Sequence, residues 1–154
     1  MHTTPIVDPK RAYRRERCAL QCAITIAALV PISAGALGML IGARAFDPAM
    51  TLDTPSAISL DSHVRYLSGL LFGLGITFWW MVPHIERHTT PVRMLTCMVF
   101  IGGLARLGAY LTLGAPSLPM QLAIGMELVV TPLLCLWQTR IAKAPWPPAA
   151  SANP

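Results

Sequence analysis

Charged residues are scarce in this chain of 154 residues. Lysine, arginine, aspartate and glutamate together make up 12% of it, whereas hydrophobic residues make up 54%. A soluble domain carries about a quarter charged residues, because most of its surface faces water. The deficit therefore argues against an ordinary water-soluble domain and predicts that lipid surrounds most of the chain.

The sequence motifs of the common enzyme and metal-site classes are also missing. The chain has no glycine-rich phosphate loop, no serine–histidine–aspartate arrangement and no His-Glu-x-x-His motif. Its four cysteines include no Cys-x-x-Cys pair, and free cysteine is a common apolar filler in membrane helices. His84 and His88 lie in a polar loop between two prolines. We therefore predict no catalytic residue, no metal site and no cofactor.

What the chain does contain is four long apolar stretches. A hydrocarbon core of about 30 Å needs about 20 residues of helix, so each stretch is interpreted as a membrane span. The predicted spans are about 18–43, 62–82, 94–113 and 119–138. We predict an all-α integral membrane four-helix bundle over residues 18–143, with a basic tail at 1–17 and a disordered Pro/Ala-rich tail at 144–154.

The basic residues are distributed by loop. Nine of the twelve precede the first span, separate the second from the third, or follow the fourth, whereas Arg44 follows the first span and Arg65 lies near the start of the second. Lysine and arginine are retained on the cytoplasmic side, so both termini are predicted to be cytoplasmic. The net charge of +5 is then a topology signal, and no nucleic-acid partner is expected.

Arg106 and Glu127 are single charges inside the third and fourth predicted spans. An arginine at that depth costs about 2.5–3.5 kcal/mol on insertion scales, so it should face inward and meet a partner. Arg106 lies seven residues before Leu113, and Glu127 lies eight residues after Pro119. At 1.5 Å per residue both are roughly 10–12 Å below the same surface. The two side chains are therefore predicted to pair.

Four further polar side chains are expected around this pair, near the outer surface. Asp61 and Arg65 are one helical turn apart, in the acid-before-base order that favours pairing. His63 lies between them, and Tyr110 lies one turn after Arg106. Three interpretations of this polar cluster stay open: a staple that fixes helix register, a pocket for a small polar or lipid-like ligand, and a path for protons or ions.

Two local predictions concern the helices that carry the polar cluster. Ser59 or Asp61 is expected to cap the start of the second helix. The fourth helix is expected to present one small or polar face at i+4 spacing, formed by Ala123, Glu127, Thr131 and Cys135.

Glycines at helical spacing predict faces where a second helix can approach closely. The glycines proposed for helix packing are Gly38, Gly42, Gly69, Gly73, Gly102 and Gly103. The alternative, that glycine is simply frequent in membrane helices, stays open.

Several short pieces of residues 58–140 together resemble a known family. They are Asp61-Ser-His-Val-Arg65-Tyr66-Leu-Ser-Gly69, Ile85-Glu86-Arg87, Gly102-Gly103-Leu-Ala-Arg106-Leu, Gly114-Ala-Pro116, Glu127 with Pro132, and Trp137-Gln138. This pattern resembles a family of small bacterial inner-membrane proteins known only as a domain of unknown function. The resemblance implies four helices and a bacterial inner membrane, and it brings no activity. A looser similarity to DoxX-like four-helix membrane proteins is an analogy of architecture.

Two functions from different classes follow. The favoured one is a non-enzymatic protein of the lipid bilayer whose polar cluster binds a small polar or lipid-like ligand. The rival is a structural or accessory subunit of a larger membrane complex, or a homo-oligomer, that packs through its glycine faces. Ligand binding predicts that Arg106 and Glu127 line an accessible site, whereas the subunit function predicts exposed small-residue grooves.

Overall fold

The computed structural model describes residues 9–144, and this part of the chain contains helices and no strand. Four of its helices are long and apolar enough to cross a membrane. The all-α class with four membrane-length helices is therefore confirmed. Most of the two predicted tails, residues 1–8 and 145–154, lies outside the described residues.

The helices are longer than the apolar stretches that predicted them. The first three are α1 (Pro9–Ile41), α2 (Pro55–Met81) and α3 (Thr89–Leu113). The fourth long helix, Leu118–Lys143, consists of α4 (Leu118–Gly125), a π-helical turn (Met126–Val130) and α5 (Thr131–Lys143). Short 3₁₀ turns follow α1 and α2, at Gly42–Ala45 and Val82–Arg87.

The start of α2 differs from the prediction. The Thr54 hydroxyl accepts the N–H of Ala57 at 3.2 Å, and Pro55 occupies the first helical position. Threonine at the cap followed by proline is a strong start signal, because the cap satisfies one free N–H and proline has none to leave unpaired. The predicted cap at Ser59 or Asp61 is wrong. The carboxylate of Asp61 instead accepts the N–H of Ala43.

The chain divides into two compact units, each described separately. The α1–α2 unit spans Ala23–Pro83 and joins the later part of α1 to α2. The α3–α5 unit contains α3, α4 and α5 together with the first turns of α1, up to Cys22.

Glycines bring the two helices of the α1–α2 unit into close contact. A Cβ added to Gly35 would lie 2.6 Å from the backbone N of Phe72, and one added to Gly75 would lie 3.2 Å from the carbonyl O of Ala28. No larger side chain fits at either place without displacing backbone, so both positions need glycine. Neither glycine was among those predicted from the sequence to pack helices.

A buried glutamine fastens one end of the α3–α5 unit. The Gln138 Nε2 atom donates to the carbonyl O of Ile85 at 2.8 Å and to the Thr89 hydroxyl at 3.1 Å. Gln138 and Ile85 have no exposed surface. This side chain therefore joins α5 to the start of α3.

Candidate ligand-binding site

Arg106 on α3 and Glu127 in the π-helical turn form an ion pair in the α3–α5 unit. The Arg106 Nε atom lies 3.3 Å from Glu127 Oε1. The hairpin between α3 and α4 returns the chain at Gly114, whose φ of +101° suits glycine because it has no Cβ. The two charges thus reach matching depths on neighbouring helices.

The second contact of Arg106 is a thioether. Its Nη1 atom lies 2.9 Å from Met120 Sδ. Tyr110, which was predicted to lie near the pair, makes no hydrogen bond to the guanidinium within the described residues and is 36% exposed. Met120 lies about 10 Å along the helix from Glu127 at 1.5 Å per residue, nearer the α3–α4 hairpin. The Nη1 atom of the guanidinium therefore points away from Glu127 and toward the hairpin.

The two side chains of the ion pair differ in their exposed fraction. The Arg106 side chain is 41% exposed, whereas the Glu127 side chain is 19% exposed. Glu127 Oε2 is buried and has no hydrogen-bond partner within residues 9–144. Arginine has five N–H donors, and the contacts with Glu127 and Met120 use its Nε and Nη1 atoms. The arginine side of the pair is the accessible side.

Gly103 brings α3 close to Glu127. A Cβ at this position would lie 2.9 Å from Glu127 Cβ and 2.8 Å from Leu128 Cδ2. The neighbouring Gly102 has no atom within 4 Å of the corresponding position. Of the two adjacent glycines, only Gly103 makes a close contact in the described part of the chain.

The π-helical turn changes the predicted face of the fourth helix. The N–H and the hydroxyl of Thr131 both donate to the carbonyl of Met126, five residues earlier. Pro132 has no N–H for the carbonyl of Leu128, and its ring crowds that carbonyl, so a wider turn before it relieves the conflict. The strict i+4 face predicted across Glu127 and Thr131 is therefore interrupted here.

In the α1–α2 unit, Asp61 and Arg65 form an ion pair with an Nε–Oδ2 distance of 2.8 Å. Asp61 Oδ1 also accepts the N–H of Ala43 at 2.8 Å. The Arg65 Nη1 atom donates to the carbonyls of Met39 and Leu40 at 2.8 and 2.9 Å. The pair thus forms hydrogen bonds with one backbone N–H just beyond the end of α1 and with two backbone carbonyls near that end.

Gly42 completes this arrangement, called here the α1 clamp (Gly42, Asp61 and Arg65). Its φ is +62°, and a Cβ would collide with the Asp61 carboxylate. Gly42 was predicted to pack helices, but it lies just after the end of α1. His63 is exposed on α2. Arg106, Glu127 and Tyr110 belong to one unit, and Asp61, His63 and Arg65 belong to the other.

The other proposed packing glycines differ among themselves. A Cβ at Gly38 would collide with the Ser68 side chain, whereas at Gly69 the nearest atom, Met39 Sδ, is 3.9 Å away. A Cβ at Gly73 would meet no atom within 4 Å among the described residues, and Gly73 is exposed. Close packing within the α1–α2 unit thus involves Gly38 and not Gly73.

An ion pair between residues that flank the first and third predicted spans was not predicted from the sequence. Arg17 Nη2 lies 3.0 Å from Glu86 Oε1, and Arg17 Nε donates to the other carboxylate oxygen. Charges of opposite sign flanking two different spans are a weak signal, because many such pairs are equally compatible with the sequence. Residues 9–144 contain no group of three His, Cys, Asp or Glu side chains that could hold a metal ion.

The four long apolar helices define this chain as a multi-pass membrane protein. The family model described as domain of unknown function (DUF4345) matches residues 19–138. This is more than half of the chain, so the chain belongs to that family. The match confirms the resemblance to a family known only as a domain of unknown function and extends it over the first span. No curated protein and no solved structure matches the chain.

Proposed function

We propose that this membrane protein binds the polar head of a small or lipid-like ligand through Arg106 and Glu127, without catalysing a reaction. The observation that carries the proposal is the accessible side of the ion pair. Arg106 is 41% exposed in a membrane-length helix, and its guanidinium has more donors than Glu127 and Met120 use. Ionisable groups at such depth indicate a functional site by default.

The charges of the pair limit the class of ligand. Phosphate and carboxylate oxygens match the donor fork of arginine. Glu127 already balances the charge of Arg106, so a bare anion gains less than a zwitterionic or neutral head group with acceptor oxygens. We infer that the site opens near the outer surface of a bacterial cytoplasmic membrane, with both chain termini inside, because most basic residues flank the opposite ends of the predicted spans.

A second candidate function is that of a subunit in a larger membrane assembly. Gly73 and Gly102 are exposed, and a Cβ at either position would meet no atom within 4 Å in the described chain. Small residues on a lipid-facing surface allow another helix to approach closely. The partner in this case is a second copy of the chain or another membrane protein.

One experiment tests the first function and separates it from the second. The full chain and its Arg106→Met/Glu127→Gln variant are extracted in mild detergent and compared by native mass spectrometry. The variant keeps similar side-chain volumes and removes both charges, so it should fold and lose a small-molecule or lipid adduct that the wild type retains. Thr112→Val, a change at an exposed hydroxyl of the same helix, is the control and should retain the adduct.

Identical adducts on the wild type and the double variant would contradict the ligand site and leave the ion pair as a structural staple. A second protein that stays bound to both the wild type and the double variant would instead favour the subunit function.

A further inference from the structure

The helical start of α1 carries an exposed basic face. Five of the eight residues from 10 to 17 are basic, and the helix already includes all of them. At 1.5 Å per residue the 33 residues of α1 are about 50 Å long, whereas a hydrocarbon core is about 30 Å thick. The uncharged part begins at Cys18, so Pro9–Arg17 extends about 13 Å beyond it, through the depth of the lipid head groups.

The two sides of this segment differ. Leu20 and Ile24 are buried, and Tyr13 and Arg17 lie on the same side at spacings of three and four residues and are half-buried. Arg17 is neutralised there by Glu86. The side away from this stripe carries the exposed residues Arg11, Arg14 and Arg15. We call these three arginines the basic face of α1.

The charges of the basic face are not balanced by the described protein. No ion pair joins any of its three arginines to an acidic side chain within residues 9–144. Arg11 and Arg15 are like charges at i,i+4, an arrangement that destabilises a helix. The first turn of α1 contains no acidic residue, and positive charge is unfavourable at a helix N-terminus. An anion outside the protein would relieve these repulsions.

We propose that the basic face of α1 binds the anionic head groups of membrane phospholipids. The partner is chosen by position and charge. The face extends from a membrane-spanning helix at head-group depth, and clusters of lysine and arginine immediately beside a span attract anionic lipid. This proposal is independent of the site at Arg106 and Glu127, because it involves different residues and a different end of the helices.

The test is a lipid titration of the purified full chain in mild detergent, followed by native mass spectrometry. Dioleoyl phosphatidylglycerol is compared with dioleoyl phosphatidylcholine, which has the same acyl chains and no net charge. Each basic residue near an anionic surface contributes about 1 kcal/mol, which corresponds to about fivefold in affinity. Arg14→Gln should therefore lower the preference for phosphatidylglycerol several-fold, whereas Arg44→Gln, an exposed arginine in the 3₁₀ turn after α1, should leave it unchanged.

The triple change Arg11→Gln/Arg14→Gln/Arg15→Gln should remove most of the preference, and the corresponding triple change to lysine should retain it. Added salt should weaken the preference in the wild type, because exposed charges are screened. Circular dichroism checks that the variants stay helical. If the triple glutamine variant failed to fold, the lysine variant and the salt dependence of the wild type would still test the proposal.

Three results would overturn the proposal. They are an unchanged lipid preference in the folded triple glutamine variant, an equal loss in the lysine variant, and binding of duplex DNA by a wild type that shows no preference for phosphatidylglycerol.

Discussion

Arg65 shows how one side chain can resolve the backbone problem at the end of a membrane helix. A helix leaves its last four carbonyls without partners, and unpaired backbone groups are costly where water is scarce. Arg65 donates to two of these carbonyls, at Met39 and Leu40, and its positive charge also suits the negative end of the α1 dipole. Asp61 balances that charge and takes up the N–H of Ala43. The polar residues 61 and 65 thus have a structural task that accounts for them without a ligand.

Gly42 provides a direct test of the α1 clamp. Gly42→Ala should destabilise the protein by about 1–3 kcal/mol, because a side chain is strained at φ +62° and would displace the Asp61 carboxylate. Gly108→Ala is the control, since it lies within α3 with no atom within 4 Å of the new methyl group. The control should lose no stability, because alanine favours a helix. Unfolding in mixed micelles, followed by circular dichroism, measures both, and equal stabilities would contradict the role of Gly42.

At the scale of elements, the four helices follow from composition, whereas their ends and irregularities do not. Lipid requires internal hydrogen bonding of the backbone, so a long apolar stretch leaves few alternatives to a helix. Depth counted along two such helices was enough to predict that Arg106 and Glu127 meet, and the structure pairs them. The π-helical turn depends on a local conflict at Pro132 that periodicity alone does not reveal. The contact of Arg106 with Met120 depends on side-chain directions and was not predicted.

Pro132→Ala tests whether the π-helical turn positions Glu127. Alanine restores an N–H for the carbonyl of Leu128, so regular α-helical bonding should replace the wider turn and rotate one part of the helix by about 100° relative to the other. In the wild type, a double-mutant cycle of Arg106→Met and Glu127→Gln should give a coupling free energy of about 1–2 kcal/mol. The value is modest because Arg106 is partly exposed.

In the Pro132→Ala background the coupling should fall by at least about half, since Glu127 would no longer face Arg106 in the same way. Pro119→Ala, at the start of α4, is the matched control and should leave the coupling unchanged. A coupling that survives Pro132→Ala would show that close packing at Gly103, rather than the π-helical turn, positions the carboxylate.

At the scale of the whole molecule, the distribution of charge along the chain carries the information on orientation. The basic residues concentrate in the first turns of α1, from the end of α2 to the first turns of α3, and at the end of the fourth long helix. These segments are short, the condition under which lysine and arginine determine orientation. The segment between α1 and α2 contains Asp47 and Asp53 in addition to Arg44, and acidic residues have little influence on orientation. The asymmetry of lysine and arginine is therefore the reason to expect both termini on the cytoplasmic side.

Reporter fusions test this orientation at each connection. An alkaline phosphatase domain, active only outside the cytoplasm, and a fluorescent protein, which matures in the cytoplasm, are joined after Asp53, His88, Ser117 and Lys143. The four positions should report outside, inside, outside and inside, because each follows one more membrane-length helix than the one before. Neutralising Arg11, Arg14 and Arg15 together should raise the fraction of inverted chains, since the loop asymmetry then narrows from nine against two to six against two. An outside signal after Lys143 in the unmodified chain would contradict the four-span orientation and place the Arg106–Glu127 site on the opposite side of the membrane.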